Sequence, residues 1–166
     1  MSAVDTKVIP ELPESGSLAR TFVDLAQSLS SGQDSYEVLS MLSQRTVEVL
    51  PVASSGILIT DQAGVLQVIA ASSPSAHLLD LFQIQNEEGP CFECCKTGEA
   101  ISDVVLSETG AWPRYSALAR KHGYTATYAL PLRSKGVVLG ALNLFAQMEL
   151  SLERLLVAQT LADAAT

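Results

Sequence analysis

The spacing of apolar residues changes near Ser54, and that change limits the fold more than any other feature of the chain. Before it, Leu18, Phe22, Leu25 and Leu29 recur at helical spacing and stop near Ser31-Gly32, the stripe of an amphipathic helix. A second helix is expected over 35–50, with Tyr36, Leu39 and Leu42 on one face and Pro51 past its end. After the change, residues 54–60 and 65–71 are short apolar runs flanking Asp61-Gln62-Ala63-Gly64. That pattern predicts an antiparallel hairpin.

Helical spacing returns over 75–83 through Leu78, Leu79 and Phe82, behind Ser73-Pro74, where proline suits a first turn. A brief strand is expected near 100–104 and a helix over 113–122, ended by Gly123. Two strands follow, 125–132 and 137–145, separated by Arg133-Ser134-Lys135-Gly136, and a last helix over 151–162 carries Leu152, Leu155, Leu156 and Gln159, with Ser151 as its N-cap. This order predicts an α+β fold, an antiparallel sheet flanked by helices on both faces.

A length of 166 residues suits one domain. Residues 1–15 are polar and broken by Pro10 and Pro13, and are read as a flexible N-terminal segment, leaving 16–166 as the domain. The final helix reaches Thr166 with neither glycine nor a basic residue to close it, which suggests a natural chain that continues.

With 48% hydrophobic and 17% charged residues the chain is too apolar for disorder, and the surplus suits a buried oligomer interface. Its apolar runs, such as 137–142, fall short of the roughly 18 to 20 residues of a membrane span. The net charge of -8 argues against direct binding to a phosphate backbone. The charge is uneven, since 109–148 has no acid and holds Arg114, Arg120, Lys121, Arg133 and Lys135, a solvated basic face or the mouth of an anion pocket. No signal peptide is visible, and a cytoplasmic location is expected.

Residues Gly89-Pro90-Cys91-Phe92-Glu93-Cys94-Cys95-Lys96-Thr97-Gly98-Glu99 are followed by Trp112-Pro113-Arg114-Tyr115, Gly123-Tyr124, Ala129-Leu130-Pro131-Leu132-Arg133 and Val138-Leu139-Gly140-Ala141-Leu142-Asn143-Leu144-Phe145. In this order and spacing they resemble the GAF domain of bacterial GAF-ANTAR regulators, from about Leu18 to the chain end. The resemblance implies a sensory domain that controls a C-terminal RNA-binding ANTAR module in transcription antitermination, a module that would begin past Thr166. It also implies a homodimer held by the N- and C-terminal helices. The pattern matches Cys91 and approximately Cys94, while Cys95 departs from it.

Candidate ligand-binding residues are Cys91, Phe92, Trp112, Arg114, Tyr115, Tyr128 and Arg133, around a pocket between the sheet and residues 84–124. Amphipathic rings line small-molecule sites, and guanidinium groups attract carboxylate or phosphate; packing and surface placement are the competing readings. Cys91, Cys94 and Cys95 are read as small residues beside a pocket, as a redox-responsive set, or as an incomplete metal site, because His77 and His122 lie outside any ligand spacing. Neither a metal nor a cofactor is expected.

Glu87-Glu88 reads as a solvated loop, and Gly140 as a point of close helix approach. Asn143 interrupts an apolar run, so it either faces a helix-covered interface or bonds backbone across strands. No Walker, HExxH, GxSxG or dinucleotide motif is present. A non-enzymatic ligand or redox sensor is therefore expected. The alternatives are a structural dimerisation module and a cysteine-dependent reductase resembling free methionine sulfoxide reductase.

Overall fold

The computed structural model describes residues 15–102, 106–107 and 110–166. It opens with a helical hairpin, α1 (Ser15–Ser30) and α2 (Ser35–Val49), and α2 begins where the Asp34 carboxylate accepts from the Tyr36 amide. Strands β1 (Ser54–Thr60) and β2 (Leu66–Ala71) form the expected hairpin, and Asp61 closes its turn by accepting from the Ala63 and Val65 amides. Helix α3 (Pro74–Asn86) starts at the Ser73 cap and runs past the expected end.

Helix α4 (Pro90–Thr97) was not foreseen. Pro90 occupies its first turn, Glu93 and Lys96 complement its dipole, and Gly98 closes it in the left-handed conformation. Helix α5 (Pro113–Lys121), strands β3 (Ala126–Ser134) and β4 (Val137–Ala146), and α6 (Leu152–Ala164) complete the order. In place of the strand near 100–104, Ile101 makes one antiparallel bridge to Ala129; residues 103–105 lie outside the described set.

The strands form one antiparallel sheet in the order β2-β1-β4-β3. Helices α1, α2 and α6 cover one face, where Leu25, Leu42, Ile57, Tyr128, Leu142, Leu144 and Leu161 are buried together. Helices α3, α4 and α5 cover the other, over Leu58, Ala129, Ala141 and Phe145. The α+β fold with helices on both faces is thus as expected. No helix among the described residues is long and apolar enough to cross a membrane.

Three helical faces are rotated from their expected positions. Helix α2 buries Val38, Leu42, Ser43, Thr46 and Val49, while Tyr36 is exposed. In α3 the buried residues are Ala76, Leu79, Asp80 and Gln83, with Leu78 outside. Helix α6 buries Leu155, Ala158, Leu161 and Ala162 and leaves Leu152 and Leu156 exposed. Small and polar residues carry much of each interface, so the largest side chains misplace it.

Gly140 admits a strand, not a helix: a Cβ there would lie 1.9 Å from the Leu58 carbonyl oxygen of β1. Backbone cannot yield as a flexible side chain does. Gly140→Ala is expected to destabilise the domain by about 1–3 kcal/mol, seen as a lower urea midpoint at unchanged denaturant slope.

Candidate functional site

The face beneath α3, α4 and α5 holds a polar cluster inside an otherwise apolar interior. Alternation along β4 puts Ala141, Asn143 and Phe145 on this face and Leu142 and Leu144 on the other. Asn143 pairs with Gly56 of β1 on one side and Ala129 of β3 on the other. Its amide nitrogen donates to Asp80 Oδ1, reaching α3 across the layer. Of the two expectations for Asn143, the helix-covered one holds.

Asp80 is fully buried. Gln83 Nε2 also donates to its Oδ1, at 3.4 Å, and Gln83 Oε1 accepts from the Cys91 amide at 2.8 Å, tying α3 to the start of α4. Asp80 Oδ2 lies against β1 where Gly56 has no side chain; a Cβ at Gly56 would sit 1.8 Å from that oxygen. Burial pushes the Asp80 carboxyl up to about 8, against the pull of the Asn143 hydrogen bond. The acid therefore carries a proton at neutral pH.

Among the described residues, Asp80 Oδ2 and Asn143 Oδ1 are buried here without a hydrogen-bond partner, and the buried Tyr115 and Thr127 hydroxyls have only each other. Burial likewise holds the Tyr115 hydroxyl well above its ordinary range, with the neighbouring Thr127 hydroxyl pulling the other way. An unpartnered buried polar group costs about 1–3 kcal/mol, so such a cluster on one face is not what a core selected only for stability would keep.

The cysteines sit at the edge of this cluster and form no disulfide with one another. Cys91 and Cys94 are fully buried, and Cys95 is half-buried. Burial, then the contact with Cys95, raises the Cys91 thiol well above normal, and burial pushes Cys94 up to about 12. Cys95 moves the other way, because the Cys91 thiol one helical turn back hydrogen-bonds to its sulfur. Among the described residues no group of three or more His, Cys, Asp or Glu side chains is placed to hold a metal ion.

The structure divides the sequence candidates among several places. Cys91 and Tyr115 lie in the buried layer. Phe92 and Trp112 line a separate groove of about 230 Å³ with Glu87, Glu93, Lys96 and Thr97. Arg114 is exposed, bonded to Asn86 and stacked 5.6 Å over the Phe82 ring. Arg133 is exposed at the end of β3, near Gly98 and Cys94.

Tyr128 is not brought to this face at all. It belongs to the α1–α2–α6 layer, where its hydroxyl accepts from the Leu150 amide, because strand alternation sends it opposite to Thr127. Glu88 is no solvated loop residue: its carboxylate accepts from the Arg114 and Tyr115 amides and caps α5. Sequence reasoning also missed Asp80, Gln83, Thr127 and Gly56. The available signal was Asp80 itself, an acid amid Leu78, Leu79, Leu81 and Phe82.

Asp80 gives a pH dependence of defined sign. An unfolded aspartate is ionised above about pH 4, whereas the folded one keeps its proton to about 8. Stability contributed by this group therefore falls as pH rises through that window and levels off above it, by on the order of 5 kcal/mol in all. Asp80→Asn removes the titration. Denaturation from pH 4 to 9 is expected to show the variant gaining on the parent until about pH 8; parallel curves would disprove the buried acid.

The family model for GAF domains matches residues 32–166. Comparison with curated protein sequences gives no match. Among solved structures, the GAF domain of a phosphoenolpyruvate-protein phosphotransferase from Coxiella burnetii is 18% identical, with a TM-score of 0.67 over 92% of each chain. The A. aeolicus nlh2 GAF domain, in an inactive state, is 16% identical, with a TM-score of 0.63 over 89% of this chain and 92% of that one. Free methionine-R-sulfoxide reductase from Neisseria meningitidis, solved with its substrate, is 15% identical, with a TM-score of 0.67 over 89% of this chain and 83% of that one. At these identities the structures speak for the fold, while the family model spans most of the sequence, so the chain belongs to the GAF domain family, a sensory and regulatory fold.

Proposed function

We propose that this domain is the sensory part of a cytoplasmic GAF-ANTAR regulator, working without catalysis. It binds a small ligand on the α3–α5 face and passes its state through the terminal helices to a C-terminal RNA-binding ANTAR segment in transcription antitermination. The observation that carries the ligand reading is the cluster of buried oxygens on that face, Asp80 Oδ2 and Asn143 Oδ1 unpartnered and the Tyr115 and Thr127 hydroxyls with only each other. A module that only dimerised would gain from apolar residues there. The ANTAR output is supported by the resemblance of the 89–99, 112–115 and 138–145 blocks and by an acidic chain that leaves RNA binding to another segment.

A homodimer through the terminal helices accounts for the exposed apolar residues of that layer. Leu152 and Leu156 of α6 are 74% and 60% exposed one turn apart, and Val23 of α1 is 52% exposed. Native mass spectrometry of the purified chain tests both parts. The expected spectrum is a dimer that retains an added small-molecule mass or binds one on titration, with dimer stability altered by that ligand. A ligand that leaves dimer and helix packing unchanged would remove signalling from the reading, since only differential affinity shifts a conformational equilibrium.

The lowered Cys95 thiol favours a second, redox reading of the same face. Cys95 is expected to react first with iodoacetamide, and Cys91→Ala is expected to slow it by removing the hydrogen bond that stabilises its thiolate. Peptide mapping of alkylated chain reads both effects. Equal rates at Cys91, Cys94 and Cys95 would rule out a poised thiol.

A further inference from the structure

The buried oxygens define what they can bind. Asn143 Oδ1 only accepts, Asp80 Oδ2 only accepts once the carboxyl has given up the proton it holds at neutral pH, and the Thr127 and Tyr115 hydroxyls either donate or accept. They share one patch of the sheet. Gly56, against which Asp80 Oδ2 lies, is directly opposite Asn143, and Thr127 is opposite Phe145, one diagonal step from Asn143. Tyr115 closes the patch from α5 beside Thr127, and the fully buried Phe145 ring lies next to Asn143 on the same face.

Among the described residues no positive charge balances Asp80. Arg114 and Arg133, the sequence candidates for anion binding, are both exposed and pair with groups elsewhere or lie at a strand end. A carboxylate or phosphate entering this patch would meet the Asn143 Oδ1 acceptor and a buried acid whose ionised form carries its own sign. A ligand with three donors satisfies ionised Asp80 Oδ2, Asn143 Oδ1 and one of the two neighbouring hydroxyls, and a positive charge on it also compensates the buried acid. Neighbouring aromatic rings further favour a cation.

We infer that this patch is the recognition end of the ligand site and takes a small molecule presenting a protonated amine to Asp80, Asn143 and Thr127. The inference rests on the reading of this face as a ligand site. The ammonium has three donors and no acceptor, matching Asp80 Oδ2, Asn143 Oδ1 and one hydroxyl. On binding, the Asp80 carboxyl gives its proton to solvent and the carboxylate receives the ammonium, so charge and protons balance. The titratable groups that feel Asp80 are the Cys91 and Cys95 thiols of α4 and the Tyr115 hydroxyl of α5, while β1 and β4 present Gly56 and Asn143. Because Asp80 holds its proton to about pH 8, amine binding tightens as pH rises toward that value and then levels off.

The test uses isotopically labelled full chain and three probes of one shape: n-butylammonium, n-butanol and butyrate. Amide shifts at Gly56, Ala129 and Asn143 report occupancy, and calorimetry in two buffers of different ionisation enthalpy reports the proton. Butylammonium is expected to bind saturably and release about one proton at pH 7. Asp80→Asn is expected to weaken it about tenfold or more, and Thr127→Val to weaken it less, both with spectra of a folded domain. Butanol or butyrate binding at this patch as tightly, indifferent to Asp80→Asn, would overturn the amine and keep the site. No shift from any probe, together with no retained or titratable mass in native spectra, would overturn the site as well.

Discussion

The central pair of strands, β1 and β4, is buried on both faces, and every other feature of the domain accommodates that fact. Such strands have no solvent side on which to place polar residues. Their outward-facing positions under α1, α2 and α6 take the usual solution, with Ile57, Leu142 and Leu144 packed among helical leucines. Under α3, α4 and α5 the same strands carry Gly56 and Asn143, and the space left by Gly56 is taken by a carboxyl from the helix above. Each of these residues is intelligible only with the others: Asp80 needs the missing side chain at Gly56 and the amide of Asn143, and Asn143 needs an acceptor in a layer that water does not reach.

Much of the architecture could be read from the sequence because its signals are local. Periodicity, Pro74 in a first turn, Ser151 as a cap, and the Asp61–Gly64 turn depend on neighbours along the chain, and α1, α2, the β1–β2 hairpin, the start of α3, α5 and α6 followed from them. Helix α4 escaped because it buries proline and cysteines where a helix usually shows leucine, and Gly-Pro at its start reads as a turn. The site was less legible than the fold. An acid within a helix is ordinarily the solvent face, so Asp80 and Gln83 looked external, whereas Asn143 stood out because it broke an apolar strand. Tyr128 and Thr127 are adjacent in sequence and on opposite faces of the sheet, a distinction that an aromatic cluster counted by proximity cannot make.

The cysteines owe their differing chemistry to a single helical turn. Cys91 and Cys94 face the interior, where burial keeps them as thiols, and Cys95 lies at the margin with the Cys91 thiol directed to its sulfur. The start of α4 is also held by Gln83, which connects the Cys91 backbone to the Asp80 carboxyl. A change at Cys95 and a change at Asp80 therefore act on the same few groups. Ligand binding and thiol chemistry are alternatives in their trigger, yet on this face they would disturb a common network, and coupling between them would be reciprocal.

How such a disturbance reaches the terminal helices follows from the sheet. Asn143 stands between Leu142 and Leu144 in β4, so its backbone is shared by the polar layer and by the core that supports α1, α2 and α6. Close packing makes that core resistant to gradual deformation, so in the proposed sensor a shift of β4 would be answered by a repositioning of helices as units. Gln159 of α6 donates to the Pro131 carbonyl of β3, and Thr166 donates to the Arg133 carbonyl, which fastens the last helix to the strand that also carries Thr127. A ligand that binds more tightly with α6 in one position than in another gains its leverage through these bonds, since β3 and β4 meet the site on one face and the exposed-leucine helix on the other.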